Sequence, residues 1–433
     1  MMRIILLWLV CMAGMTAVGS PRSYTIVVGA ECFNSCDTIS APTIEKACDQ
    51  AALLPDDTVT IDIAEGIYRL CRPISVSAQR KAPLRFVGHG MGRSVMSGAC
   101  ALPPFEMVSP QLWMIRLDGP WATADIQQLY VGGQRAVPAR TPNALCPMWR
   151  TGRVTQTVVD SVPARRAPRK GLAVQALALN PEAYDALSSL SGPVENVRIS
   201  FMHAWDMTRR YIDTFDPADS LVYVVGNLMK PWNAIDRESQ FMLEGDVSFI
   251  DEPGEWCIDR VKGVLYYYPR PGETIGRVTA EVPVLDHIAV IDGCNNVSFE
   301  KLSMVYTRYA MPRKGDEPLQ AASKTGAAVE VRNASGIVFN DCEIAHTGGY
   351  GLWFDRGCHN SLAERCAIED LGAGGVKIGG IVLPEADSPD MTSQIALMNC
   401  IIKSGGREFP TGTGVLLTHA SDCSIAHNEI ADF

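Results

Sequence analysis

The side chains best suited to chemistry lie in the last third of the chain. Glu330 and Asp355 are both carboxyl residues, Trp353 sits just before the second of them, and Lys377 follows further on. Two carboxyl groups roughly 5 to 10 Å apart can cleave an acetal: one protonates the leaving oxygen while the other attacks or activates water. Glu330 and Asp355 are therefore the catalytic candidates, and Trp353, as a stacking face, Lys377, His346 and His419 are the candidates for holding a substrate. The competing reading leaves all six solvated on a strand surface. Which reading holds depends on the elements that carry them.

Those elements repeat. Between about His287 and Phe433 one pattern of two short alternating strands with a bend between them occurs five times: Val297-Phe299-Leu302-Met304, Ile337-Phe339-Cys342-Ile344, Ser361-Ala363-Cys366-Ile368, Ile395-Leu397-Cys400-Ile402 and Cys423-Ile425-Asn428-Ile430. The markers Leu302, Cys342, Cys366, Cys400 and Asn428 return at uneven intervals, widest between the first two and narrowest between the second and third. Short strands returning in this way signal stacked coils whose loops differ in length. The expected fold is mainly β: a right-handed parallel β-helix with an N-terminal helical cap and an inserted β-rich domain. A third strand precedes each pair, as Ala289-Val290-Ile291, Val329-Glu330-Val331, Leu352-Trp353-Phe354, Val376-Lys377-Ile378 and Val415-Leu416-Leu417. With the outer members of each triplet pointing inward, Glu330, Trp353 and Lys377 line one outer face, and Asp355 lies one coil from Glu330. His346 precedes the Trp353 strand and His419 follows the last triplet.

The chain begins with Arg3, an apolar run from Ile4 to Val10 and small residues ending Ala17-Val18-Gly19, the pattern of a cleaved secretory leader over residues 1–19. The apolar run is shorter than a membrane anchor needs, so the expectation is a secreted or periplasmic protein with no membrane insertion after cleavage. A formal charge of −10 over 433 residues argues against nucleic acid and anionic membranes as partners. Without Cys11, 13 of the 14 cysteines remain, an odd number that argues against a complete disulfide framework. Cys342, Cys366 and Cys400 are read as small apolar fillers on the inner ladder, and Cys32 and Cys36 are close enough in sequence to bridge.

Residues 20–125 are assigned to an N-terminal cap and the first coils, with a strand at 23–28 and an amphipathic helix at 43–54 carrying Ile44, Ala47, Cys48, Ala51 and Ala52 on one face. Residues 126–285 lose the coil pattern. They read as a β-rich insertion, sandwich-like, with a helix starting after Asn180 and a hairpin joining Glu255–Asp259 to 264–268. Residues 286–433 are the coils proper. The basic stretch at 165–170 reads as a solvated loop.

Several stretches carry a resemblance: GGQRAVPARTPN at 132–143, FIDEPGEWCIDRVKGVLYYYPRPGE at 249–273, HTGGYGLWF at 346–354, LGAGGVKIGG at 371–380 and HNEIADF at 427–433. From about residue 24 onward the chain resembles bacterial secreted β-helix proteins of the glycoside hydrolase family 141 type. The resemblance implies hydrolysis of a glycosidic bond in a polysaccharide or oligosaccharide, fucosidase and xylanase activities being known in the family. Members typically continue past the HNEI stretch with further coils that hold their acidic residues. The chain is accordingly expected to be truncated at its C-terminus, and no catalytic residue is carried over.

Other motifs speak for less. No CxxC pair or histidine cluster has zinc spacing, and the sequence calls for no cofactor. Glu385, Asp387 and Asp390 lie in one loop, read as an exposed acidic segment in preference to a calcium site. Calcium beside Lys377 would point to a polysaccharide lyase. Gly88-His89-Gly90, similar to a polygalacturonase motif, reads as a turn, and Gly372–Gly375 lacks the strand and helix that a phosphate loop needs. A surface protein that binds carbohydrate without cleaving it is the alternative from a different class.

Overall fold

The computed structural model describes residues 22–29, 37–77, 80–143, 148–158, 172–229, 232–385 and 388–433. The expected leader, Cys32, Cys36, the basic stretch at 165–170 and Asp387 lie outside them.

The inner positions of the repeat require a partner above and below, and they find it in register. Phe299, Phe339, Ala363, Leu397 and Ile425 are successive parallel neighbours in one sheet. Met304, Ile344, Ile368, Ile402 and Ile430 are so in a second. Ala289, Val329, Leu352, Val376 and Val415 are so in a third. The three sheets wind into a right-handed parallel β-helix, the hand that crossovers between parallel strands take. Cys342, Cys366 and Cys400 are buried in the shared core. All ten described cysteines are free thiols. Phe86, Phe299 and Phe339 stack with ring centroids 4.7 and 5.2 Å apart, each side chain adding roughly 1.5–3 kcal/mol by burial.

Two corners of each coil turn on a single residue in the left-handed region. At the first corner these are Lys301, Asp341, Arg365, Asn399 and His427, with φ between 52° and 57°. At the next corner of each coil come Tyr306, His346, Asp370, Ser404 and Asp432, with φ between 48° and 64°. At this second corner the turn carries the side chain away from the core and out toward the rest of the molecule.

At the N-terminal end the helix Ile44–Ala52 starts at Thr43, whose hydroxyl accepts from the Lys46 amide at 3.2 Å. Ile44, Ala47 and Ala51 bury against the strands Ser23–Val28 and Thr58–Ile63.

The coil stack is interrupted between Gly98 and Val284, whose backbone groups meet at 2.8 Å (Val284 N–H to Gly98 O). Leu84–Val87, before the interruption, pairs directly with Val297–Glu300 after it. The excursion thus begins just after Gly98, well ahead of the boundary at 126 expected from sequence. Leu112–Arg116 alternates like a coil strand, yet it pairs antiparallel with Glu106–Ser109 and Val264–Tyr267, and Ala99–Ala101 pairs antiparallel with Ala280–Pro283. Period two does not distinguish a coil strand from a hairpin strand.

Within the excursion, the hairpin Glu255–Asp259 to Val264–Tyr267 forms as read, and Asn180 caps the helix Pro181–Ser188 by accepting from the Ala183 amide at 3.2 Å. Its larger sheet runs without a break from Arg140–Thr141 to Val154–Val158 through the strand Met207–Asp216. A register shift between Ile212 and Thr214 bends that strand, so Phe201 and Phe241 from one end of the sheet share a core with Leu177, Val222 and Val224 from the other.

The excursion is tied to the coils by backbone-directed side chains and by backbone pairing. Gln128 and the Tyr309 backbone exchange two hydrogen bonds, at 2.8 and 3.0 Å, and Arg209 and Asp316 exchange two backbone bonds at 2.9 Å.

Candidate active site

The second corner of the coil is where the excursion meets the helix, and four outward residues there form a column: Tyr306, His346, Asp370 and Ser404. Each stands at the same offset from its ladder marker, so the coil period stacks them. His346 Nδ1 is 2.7 Å from Asp370 Oδ2; its ring stacks on Tyr306 at 4.8 Å and meets the edge of buried Tyr130 at 5.2 Å. The glycines beside the column let the coils approach: a Cβ on Gly372 would come within 2.1 Å of the Gly348 carbonyl, and one on Gly348 within 2.2 Å of the Tyr309 amide nitrogen. The Gly-Ala-Gly-Gly run therefore serves close packing of backbones.

Arg135, on the strand Gln134–Arg135 of the excursion, reaches across this column. Its Nε donates to Asp370 Oδ1 at 2.9 Å, and its Nη2 donates to the carbonyls of Thr347 and Asp370 at 2.8 and 3.0 Å. Nη1 lies 3.8 Å from Glu408 Oε1. Glu408 stands on the loop after Ile401–Lys403, anchored by its own amide to the Gly372 carbonyl at 2.7 Å. One guanidinium thus spans Asp370 and Glu408, so their facing carboxyl oxygens are no more than about 9 Å apart, below the upper limit for glycosidase carboxyl pairs. Arg209 approaches Glu408 Oε2 from the other side at 3.5 Å, its Cζ 4.6 Å above the Phe409 ring. On the far wall Ser200 donates to Glu244 at 2.8 Å, and Arg198 lies 3.8 Å from Glu244.

The carboxyls of Asp370, Glu408 and Glu244, with Arg135, Arg209 and His346, line a cleft of about 760 Å³. Burial alone would raise the Asp370 pKa, but the Arg135 charge and the bonds from His346 and Arg135 outweigh it and hold the carboxyl down at about 2. Burial would likewise raise Glu244, and Arg198 and Arg209 reverse it, leaving its pKa below the ordinary carboxylate value. Arg135 shows the same balance from the cationic side: burial opposes its charge, and Tyr130, Asp370 and Glu408 override the burial and raise its pKa. Both acids stay ionised at neutral pH and are fixed in place.

The residues singled out from sequence are placed differently. Glu330, Trp353 and Lys377 do stack in one outward column, but the segment around 319–325 covers that face. Lys377 is 1% exposed. Its ammonium donates to the carbonyls of Ser323 and Thr325 at 3.2 and 2.6 Å and sits 3.3 Å from the centre of the Trp353 ring. Burial pushes its pKa down to about 7, against the pull of Glu330 and Asp355. Trp353 is half-buried beside Ala322 and Leu416, and its indole N–H donates to the Gly379 carbonyl at 3.0 Å; it is not an open stacking platform. Glu330 accepts from the Ala327 amide at 3.2 Å. Asp355 belongs to the next outward column, since Val331 pairs with Phe354, and burial raises its pKa. His419 bridges Gly380 at the end of that same sheet. Of the six, only His346 lines the large cleft.

Asp370, Glu408, Arg135, Arg209 and Glu244 were not singled out from sequence. The shared offset from the cysteine ladder would have placed Asp370 directly under His346. The other four reach the cleft from separate segments and carry no local signal. Gly88-His89-Gly90 is a turn, as read: His89 Nε2 lies 3.0 Å from Asp62, and a Cβ on Gly88 would meet the Lys301 carbonyl at 2.3 Å. Among the described residues no cluster of three or more potential metal ligands occurs.

Residues 289–432 match the right-handed beta helix region family. Among solved structures, a protein described as "Glycoside hydrolase" superposes with a TM-score of 0.77 at 19% identity, over 95% of this chain and 78% of that one. XylC, solved in complex with xylose, aligns with a TM-score of 0.46 at 13% identity, over 95% of this chain and 58% of that one. No curated protein matches the sequence.

Proposed function

We propose that the protein is carbohydrate-active and cleaves a glycosidic bond of a polysaccharide or oligosaccharide held in the cleft between the coils and the excursion. The observation that carries this reading is the carboxyl pair Asp370 and Glu408 on the single guanidinium of Arg135, in a cleft of about 760 Å³. Asp370, ionised and oriented by Arg135 and His346, suits the nucleophile or base, and Glu408, the second carboxyl on the same guanidinium, is assigned the partner role of acid. A fold shared with a protein described as a glycoside hydrolase supports the reading, as does the leader-like opening of the sequence, which fits action on an extracellular polymer.

Release of reducing ends from a panel of plant and bacterial polysaccharides tests it. Turnover lost by a factor of about 10³ or more in both Asp370→Asn and Glu408→Gln, with circular dichroism unchanged, is the expected result. Turnover retained in either variant removes that residue from the mechanism. Saccharide binding by the wild type without any turnover supports instead a non-catalytic binding protein, in which the ion-paired carboxylates only orient the ligand.

A further inference from the structure

We infer that the saccharide taken by this cleft is acidic, with a uronate carboxylate docking on Arg209 and Arg140 serving a further carboxylate along the same wall. The inference rests on the reading of the cleft as a saccharide site and names the class of sugar.

The chain as a whole carries a formal charge of −10, yet the cleft is walled by Arg135, Arg140, Arg209 and Arg407 against Asp370, Glu244 and Glu408. Several of those arginine nitrogens are buried and donate no hydrogen bond: Nη1 of Arg135, Nε of Arg140, and both Nε and Nη2 of Arg209. Arg209 is only 3% exposed. Its closest carboxylate oxygens, on Glu408 and Asp316, stand at 3.5 and 3.6 Å, outside the roughly 2.7–3.2 Å of a good N–H···O bond. Buried donors left without an acceptor are costly and rare, and two adjacent ones on one guanidinium present a fork.

A carboxylate matches that fork with two parallel bonds, whereas a sugar hydroxyl offers one acceptor and brings a donor that has no use there. The fork is held rigidly: the Arg209 guanidinium packs over the rings of Phe409 at 4.6 Å and Tyr309 at 5.4 Å, which meet each other edge to face at 4.7 Å. Arg140 pairs across the strand from Glu244, which places its unsatisfied Nε on the same wall. Asp370 and Glu244 are already committed to Arg135, His346 and Arg198, while Glu408 reaches only Nη1 of Arg209 and Asp316 stands 3.6 Å from Nη2, so Nε and Nη2 keep hydrogen-bonding capacity for an incoming anion.

The test is calorimetric binding of galacturonate, glucuronate and mannuronate tetrasaccharides, each compared with the same compound after reduction of its carboxyls to alcohols. At least one uronate is expected to bind about tenfold or more tightly than its reduced counterpart. That advantage should shrink as salt rises from about 20 to about 500 mM, by screening, and should fall several-fold in Arg140→Gln and in Arg209→Gln. The salt titration uses only the wild type and so does not depend on how the variants fold. Equal affinity within every pair, tighter binding of the neutral forms, or an advantage untouched by both substitutions overturns the inference. Neutral saccharides cleaved by Asp370 and Glu408 would overturn it while leaving the hydrolase reading intact. Uronates that are bound but never cleaved would do the reverse.

Discussion

Replacing Asp370 by asparagine tests the electrostatics on which the site depends. The carboxyl is 23% exposed, and Arg135 and His346 hold its pKa at about 2, from an ordinary value of 3.8. A depression of roughly two units corresponds to about 2 to 3 kcal/mol of folding stability. Because the folded-state pKa lies below the unfolded one, that contribution is complete above about pH 5 and is lost as the pH falls toward 2. Asparagine has no charge to lose. The stability gap between wild type and Asp370→Asn should therefore be about 2 kcal/mol or more at pH 7, shrink by roughly a third to a half at pH 3, and nearly close at pH 2. Urea unfolding followed by circular dichroism at pH 7, 5 and 3 measures it, and melting by differential scanning fluorimetry at pH 2 extends it. A gap below about 0.5 kcal/mol at pH 7, the scale of an exposed pair, would refute the claim that Arg135 and His346 hold this carboxylate ionised. So would a gap that does not change with acid.

Three further outcomes follow from the packing. Phe339→Ala opens a hole in the middle of the phenylalanine stack, where Phe299 lies 5.2 Å away, and should cost about 3 to 5 kcal/mol in urea unfolding, while a loss under about 1 kcal/mol would mean that the inner ladder is not packed as described. For Lys377, burial lowers the folded pKa to about 7 while the unfolded value is near 10.4, so the wild type gains stability relative to Lys377→Met as the pH rises from 7 to 10; a difference that stays flat over that window contradicts the burial of the ammonium. In native protein treated with a thiol reagent and mapped by mass spectrometry, exposed Cys71 should be labelled ahead of buried Cys366, whose pKa is pushed up to about 12; equal labelling rates would place Cys366 outside the core.

The coil register could be read from the amino acids because its determinants are local. An inner ladder position admits only a side chain that can be buried, and the alternation around Cys342, Cys366 and Cys400 repeats within each coil. Stacked neighbours such as Phe339 and Ala363, or Ile344 and Ile368, then follow from the period alone. The same arithmetic extends to the corner column, where His346 and Asp370 stand at one offset beyond their markers. The start of the excursion was misplaced for the converse reason: Leu112–Arg116 has the alternation of any half-buried strand, and only its antiparallel partner Val264–Tyr267, far along the chain, assigns it to another sheet.

Which outer face is open was decided by tertiary structure. The Glu330, Trp353 and Lys377 column is correctly aligned, yet it is roofed by a segment whose position depends on the Arg209 to Asp316 backbone pairing with the excursion. Nothing within a coil encodes that cover. Arg135, Arg209 and Glu408 likewise meet only because the excursion folds back onto the second corner, bringing together segments from the first, middle and last thirds of the chain. Short-range periodicity is set by backbone geometry and by which side chains tolerate burial, and both can be read residue by residue. A charge cluster assembled from distant segments depends on how whole sheets dock, and no local pattern records it.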